Sequence, residues 1–198
     1  FFSEAEHKGT LETVSYETVD YYSGTDGKYT KNMLDNLIEK RFCEPFIVVC
    51  PRGYITDHAR FEHNSDRDYT QFGHEFAEDI LPYVAGRYST YAEGLSRSEL
   101  SAAREHFGFM GASFGAYMTY NSVLTPNLDL VSWYGYTGGG TMDPNRLIDS
   151  WSSKGFSDLP ISLLYVAEGE FDDRGPVEIS FDVLKNNVGK FDDSNLKY

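Results

Sequence analysis

The sequence predicts a protein of the α/β class, with a mostly parallel central sheet and helices on both of its faces. Two patterns support this prediction. Short, continuous apolar runs recur along the chain, as is typical of strands that are buried on both faces. Segments with apolar residues at helical spacing separate these runs, and strands that alternate with helices favour parallel pairing. The chain of 198 residues is long enough for a domain with a hydrophobic core, so we expect residues 1–198 to form a single domain.

The first half of the chain contributes two predicted strands and two predicted helices. Residues 9–16 alternate polar and apolar side chains, which indicates a half-exposed strand. Residues 33–40 have apolar side chains at helical spacing, and residues 46–49 form a continuous apolar run that predicts a buried strand. Residues 72–83 place a row of aromatic and aliphatic side chains on one helical face, which Pro82 should kink near its end.

The second half repeats the alternation of strands and helices. Strands are predicted at residues 107–110, 128–134 and 161–166, and helices at residues 116–124, 143–151 and 176–188. In open parallel sheets, chemistry gathers at the carboxyl ends of the strands. The segments that follow these strands are therefore the places to look for functional residues.

The charge of the chain restricts its partners. Asp and Glu number 31 against 17 Lys and Arg, which gives a formal net charge of -14. Such a surface repels nucleic acid and anionic lipid at long range, so neutral or weakly charged substrates fit better. The sequence has no run of 18 apolar residues and no signal-like segment at Phe1, so we expect no membrane span.

The segment from Gly111 to Gly115, with the sequence Gly-Ala-Ser-Phe-Gly, lies between a predicted strand and a predicted helix. This is the setting of a nucleophile elbow, in which small residues on either side of the serine let the strand and the helix approach. We predict that Ser113 is a nucleophile and that the backbone N–H of Phe114 is an oxyanion donor. The alternative is an ordinary glycine-rich turn with a capping serine.

A serine nucleophile needs a base, and the base needs an acid that orients it. The predicted strand at 161–166 runs into a cluster of carboxylates, from which we select Asp172 as the acid and Asp173 as its alternative. These acids would otherwise solvate a loop or cap the following helix.

The base is harder to assign, because every histidine precedes Ser113, whereas the expected order is serine, acid, histidine. We interpret His74 and His106 as structural. His58 and His63 follow the predicted strand at 46–49 and could approach Ser113, but we do not select either, so no catalytic histidine is found in the chain.

Four segments together resemble the family-1 carbohydrate esterases, which are bacterial feruloyl and acetylxylan esterases related to esterase D. They are Glu-Pro-Phe-Ile-Val-Val at 44–49, Phe-Ala-Glu-Asp-Ile-Leu-Pro-Tyr-Val at 76–84, Gly-Phe-Met-Gly-Ala-Ser-Phe-Gly at 108–115, and the strand that leads to Asp172. The resemblance runs from about residue 10 to about residue 173. It implies an α/β-hydrolase fold and a secreted bacterial serine esterase, without metal or other cofactor. Its substrate would be an acylated plant polysaccharide such as xylan, from which it would release ferulate or acetate, and it could be joined to other modules of a larger enzyme.

The chain departs from the pattern of this family in two places. Family members carry a long apolar strand and a glycine-rich loop beginning with His, and neither is present around residues 31–33. The histidine of the family lies in a Gly-His segment after the last helix, which is also absent. We therefore expect the fold to be incomplete, with segments missing near 31–33 and after 198.

Two further features are assigned by the same resemblance. Trp133 is a candidate wall of an aromatic-acyl pocket, although a large side chain in a strand more often packs in the core. Gly138 to Gly140 is interpreted as a loop near the pocket and not as the oxyanion loop. The competing functions are a catalytically inactive carbohydrate-binding or accessory module on the same fold, and a peptidase or thioesterase on the same scaffold.

Overall fold

The computed structural model describes residues 28–51, 66–139, 143–169, 182–186 and 189–197. The chain divides into two compact units, Phe1–Phe61 and Glu62–Tyr198. The single domain expected from the sequence stays a prediction. Among the described residues, no helix is long and apolar enough to cross a membrane.

The first unit contains helix α1, Lys28–Glu39, close to the helix predicted at 33–40. The helix ends because Arg41 adopts a left-handed backbone conformation with φ 59°. The N–H of Arg41 then donates to the carbonyl of Ile38 at 2.9 Å, and that of Phe42 to the carbonyl of Leu37 at 2.9 Å. This is a Schellman ending, with arginine at the position that usually holds glycine.

The buried strand predicted at residues 46–49 is wrong. These residues form no strand, and the side chains of Phe46 and Val49 are 52% and 45% exposed. A strand is buried on both faces only when it has paired neighbours and covering helices. The apolar composition of this run alone therefore does not make it a strand.

The second unit contains four parallel strands, β1 Gly108–Ala112, β2 Trp133–Thr137, β3 Leu163–Ala167 and β4 Leu196–Lys197. They lie in the order β1-β2-β3-β4. Gly108 pairs with Trp133 and Ala112 with Thr137, so β1 and β2 begin and end at the same level. β3 is in register with β2 in the same way. The carboxyl ends of three strands therefore meet at one edge of the sheet.

The helices of this unit are α2 Asp66–Glu75, α3 Leu81–Arg87, α4 Arg97–Ala102, α5 Phe114–Met118 and α6 Pro144–Lys154, and residues 182–186 are also helical. A π-helical segment, Phe76–Ile80, joins α2 to α3, and the N–H of Leu81 donates to the carbonyl of Phe76. Pro82 lacks a donor for the carbonyl four residues before it, which explains why the ladder changes here. Residues 72–83 are therefore helical as predicted, but the irregular segment comes before Pro82, and the helix continues to Arg87 instead of ending near Pro82. A second π segment, Thr119–Leu124, continues α5.

One face of the sheet packs against helices. The rings of Phe72 and Phe76 meet the ring of Phe109 edge-on, at centroid distances of 6.0 and 5.4 Å. Tyr134, Tyr136, Leu164 and Val166 are buried on the same face. The alternate positions of the strands carry Met110, Trp133 and Tyr165, which are exposed in the described part of the chain.

Candidate active site

Ser113 lies between β1 and α5, at the carboxyl edge of the sheet, and its side chain is exposed. Its backbone has φ 53° and ψ -117°, a conformation that residues with a Cβ rarely adopt. Such strain persists only where the surrounding structure imposes it, and it is concentrated at functional sites. The sharp strand-to-helix turn presents the serine hydroxyl at the top of the sheet, as a nucleophile elbow requires.

The two glycines of the elbow have different roles. A Cβ at Gly111 would lie 2.3 Å from the carbonyl oxygen and 2.4 Å from the carbonyl carbon of Gly115, so the strand and helix backbones leave no room for a side chain there. A Cβ at Gly115 would meet nothing within 4 Å. Only Gly111 is therefore required by space, whereas the sequence pattern predicted the same role for both.

Both backbone polar groups of Ser113 make hydrogen bonds. Its N–H donates to the carbonyl oxygen of Thr137 at 2.9 Å, and its carbonyl oxygen accepts from the N–H of Ala116 at 2.9 Å. The next residue of the β2 loop, Gly138, donates its N–H to the carbonyl of Ala167 at 3.1 Å and has φ 62°. The ends of β1, β2 and β3 are thus connected by hydrogen bonds at the serine. Sequence analysis missed this role of the residues after β2, although the glycine run at 138–140 indicated a close approach there.

Of the three other predicted catalytic and oxyanion residues, the structure describes one and leaves two outside the described ranges. Phe114 is the first residue of α5, directly after Ser113. Asp172 and Asp173 lie outside the described residues, beyond the end of β3 at Ala167. Their roles stay predictions.

Two of the five histidines are described, and each contacts another exposed side chain. His106 lies before β1, at the opposite end of this strand from Ser113, and its ring stacks on Tyr91 with a centroid distance of 3.6 Å. His74 is on α2 with its Nδ1 3.4 Å from Oε1 of Glu78, and both side chains are about 70% exposed. His7, His58 and His63 lie outside the described residues.

Trp133 is the first residue of β2, paired with Gly108 at the amino end of β1. Its indole N–H donates to the carbonyl oxygen of Glu105 at 2.8 Å. A strand of five residues spans roughly 13 Å, so this side chain is at the wrong end of the sheet to line a pocket at Ser113. The structure thus separates Trp133 from Ser113, and we do not propose it as an acyl contact.

The helix-covered side of the sheet near the serine holds neutral phenols. Burial raises the pKa of Tyr120 and of Tyr136 well above the usual range. The hydroxyl of Tyr120 donates to the backbone carbonyl of Asp143.

In the described part of the chain, no group of three or more His, Cys, Asp or Glu side chains is arranged to hold a metal ion.

Comparison with solved structures identifies the fold. A mutant of the feruloyl esterase module from Clostridium thermocellum, complexed with sinapinate, matches 84% of this chain and 60% of its own length, with a TM-score of 0.68 and 23% identity. The chain therefore has an α/β-hydrolase fold. A structure of FAE matches the same shares of both chains, with a TM-score of 0.68 and 24% identity. The resemblance to feruloyl esterases and the fold class expected from the sequence are confirmed.

One relative is similar in sequence to part of this chain. Endo-1,4-beta-xylanase Y from Acetivibrio thermocellus is 33% identical over 104 residues, which are 52% of this chain and 9% of that protein. The chain thus spans a small part of this relative and less than two thirds of the solved structures. No protein-family model matches the chain.

Proposed function

We propose that the protein is a serine carboxylic ester hydrolase that releases small acyl groups, ferulate or acetate, from plant cell-wall polysaccharide such as xylan. The observation that carries this proposal is the exposed Ser113 in a strained turn between β1 and α5. Backbone strain of this kind is concentrated at active sites, ligand clamps and switch regions, which supports a chemical role for this serine.

The proposed reaction has two steps. The hydroxyl oxygen of Ser113 attacks the acyl carbonyl while a histidine, which the sequence does not assign, removes its proton, and the N–H of Phe114 stabilises the oxyanion. The sugar hydroxyl leaves with the proton from that histidine, and an acyl-serine remains. Water then hydrolyses the acyl-serine and frees the acid. Asp172, or Asp173 in its place, orients the histidine.

The polysaccharide substrate is supported by the relatives and by charge. One relative is named as a xylanase and one solved structure as a feruloyl esterase module bound to sinapinate, a phenolic acid. The chain carries a net charge of -14, which disfavours anionic macromolecules and suits a neutral glycan. We also propose that a bacterium secretes the protein, because plant polysaccharide is accessible only outside the cell. The protein would act there beside other modules of a larger enzyme.

The direct test is hydrolysis of matched feruloylated and acetylated xylo-oligosaccharides by the full-length protein, by Ser113→Ala and by Ser152→Ala. Ser152 is an exposed serine on α6 and serves as the matched control. We expect Ser152→Ala to hydrolyse at the wild-type rate and Ser113→Ala to lose at least about 10³-fold. Binding of the oligosaccharides without hydrolysis by the wild type would instead indicate an inactive carbohydrate-binding module and refute the proposal.

A further inference from the structure

Gly139 and Ala116 face each other across the loop that follows β2. Gly139 is buried, and a Cβ built on it would lie 2.4 Å from Cβ of Ala116. Two carbon atoms are at optimal separation at about 3.5–4.0 Å, so a side chain at Gly139 would have to displace the loop or the helix by about 1 Å. Gly139 does not have the left-handed φ of its neighbour Gly138, so space and not backbone conformation requires glycine here.

This contact closes a ring around the nucleophile. Ser113 donates its N–H to the carbonyl of Thr137, and two residues later the same loop reaches Ala116 through Gly139. Ala116 in turn donates its N–H to the carbonyl of Ser113 at 2.9 Å. Both backbone polar groups of Ser113 therefore belong to one closed set of contacts, which we call the contact ring: Ser113, Thr137, Gly138, Gly139 and Ala116.

The contact ring has little freedom to relax. Ala116 is 1% exposed and belongs to the first turn of α5, so its methyl group cannot rotate away from an added side chain. On the other side, the N–H of Gly138 is bonded to the carbonyl of Ala167 at the end of β3. A displacement at Gly139 is therefore transmitted to Thr137, and from there to the N–H of Ser113.

We propose that Gly139 is a positioning residue for the ester hydrolysis: by leaving room for Ala116, it lets the β2 loop hold Ser113 in its strained conformation. This inference rests on the proposed function and adds to it a residue that does not touch the substrate. Displacements of about 1 Å at a reacting group can reduce the rate by about 100-fold, so a single methyl group is enough to matter.

The test uses four variants of the full-length protein: Gly139→Ala, Ala116→Gly, the double variant, and the control Gly189→Ala. A Cβ at Gly189 would meet nothing within 4 Å. For each, kcat and KM for methyl ferulate and the rate of Ser113 labelling by a fluorophosphonate are measured at a temperature where circular dichroism shows the protein to be folded. A purely structural role would lower the melting temperature without changing kcat of the folded protein.

We expect Gly139→Ala to lose about 10- to 100-fold in kcat and in labelling rate, with KM nearly unchanged. Ala116→Gly in the same chain removes the atom that the new methyl group would meet, so the double variant should recover to within about threefold of Ala116→Gly alone. Gly189→Ala should behave as the wild type. If Gly139→Ala does not fold, the test is the comparison of kcat and labelling rate between the double variant and Ala116→Gly.

Two outcomes would overturn the inference alone: an active wild type with an equally active Gly139→Ala, or a folded double variant that stays as slow as Gly139→Ala. A wild type that neither hydrolyses the ester nor reacts with the fluorophosphonate would overturn the proposed function, and the inference with it.

Discussion

Ser113 combines a strained backbone conformation with the position of the proposed nucleophile. Its φ of 53° places it in a region where a Cβ is costly, and the bonds to Thr137 and Ala116 hold it there. The elbow was predictable because its signature is local: a strand, a short glycine-containing turn and a helix in sequence. The different roles of Gly111 and Gly115 were not, because they depend on which backbone atoms approach in three dimensions.

The strain at Ser113 predicts an inverted order of stabilities. Glycine adopts φ 53° without the penalty that alanine has, so Ser113→Gly should be more stable than Ser113→Ala by about 1 kcal/mol, after the entropic cost of glycine. At Ser152, in helix α6, the order should be the usual one, with glycine less stable than alanine by about 0.5–1 kcal/mol. Urea denaturation of the four variants measures both differences. The same order at the two positions would mean that Ser113 is not strained.

Two tyrosines on β2 form a second matched pair. Tyr134 is 2% exposed and its hydroxyl donates to the carbonyl oxygen of Val131 at 2.9 Å. Tyr136 is 3% exposed, and its hydroxyl has no hydrogen-bond partner among the residues that the structure describes. Tyr134→Phe should therefore lower the free energy of unfolding by about 1 kcal/mol, whereas Tyr136→Phe should leave it unchanged or raise it. If urea denaturation shows that both variants lose the same free energy of unfolding, the Tyr136 hydroxyl makes a hydrogen bond.

At the scale of elements, local signals in the sequence account for where a helix begins and ends. Helix α6 begins after Asp143, whose carboxylate accepts from the N–H groups of Asn145 at 3.0 Å and Arg146 at 3.3 Å, and it ends at Gly155 with φ 72°. These capping residues are visible in the sequence. Strands carry no such end signals, so an apolar run can be buried without pairing.

The segment before β2 shows this limit. Residues 128–134 were predicted as a strand, but β2 begins only at Trp133, and Leu128, Leu130 and Val131 are fully buried in a turn. Arg104 makes this possible. Its guanidinium is buried and donates to the carbonyl of Leu128 at 3.0 and 3.1 Å and to that of Val131 at 2.8 Å. These bonds replace the strand pairing that the carbonyls would otherwise need.

Arg104 should consequently contribute more to stability than an arginine in a surface pair. Arg104→Met leaves the buried carbonyl of Leu128 without its donor and removes one of the two donors to the carbonyl of Val131, so it should lower the free energy of unfolding by about 3 kcal/mol. Arg97 makes a bidentate pair with Asp129 at 2.7 and 2.8 Å, but its side chain is 48% exposed. Arg97→Met should cost about 1–2 kcal/mol, less than Arg104→Met, because half of the Arg97 side chain is in contact with water although that of Asp129 is 13% exposed. Equal costs in urea denaturation would contradict the structural role assigned to Arg104.

At the scale of the whole molecule, the parallel sheet brings the carboxyl ends of β1, β2 and β3 together around Ser113. The alternation of strands and helices was sufficient to predict this architecture, because parallel pairing follows from the connections. The acid and the base could not be settled in the same way. They come from separate loops, and their positions depend on how those loops fold back toward the serine.

The central claim is that Ser113 is an activated nucleophile, and covalent trapping tests it most directly. The full-length protein is treated with a fluorophosphonate, and the modified peptide is identified by mass spectrometry, with Ser113→Ala and Ser152→Ala treated in parallel. We predict one adduct per molecule on Ser113 in the wild type and in Ser152→Ala, and none in Ser113→Ala. An unmodified Ser113 in the folded wild-type protein, or a stoichiometric adduct on another serine, would contradict the account.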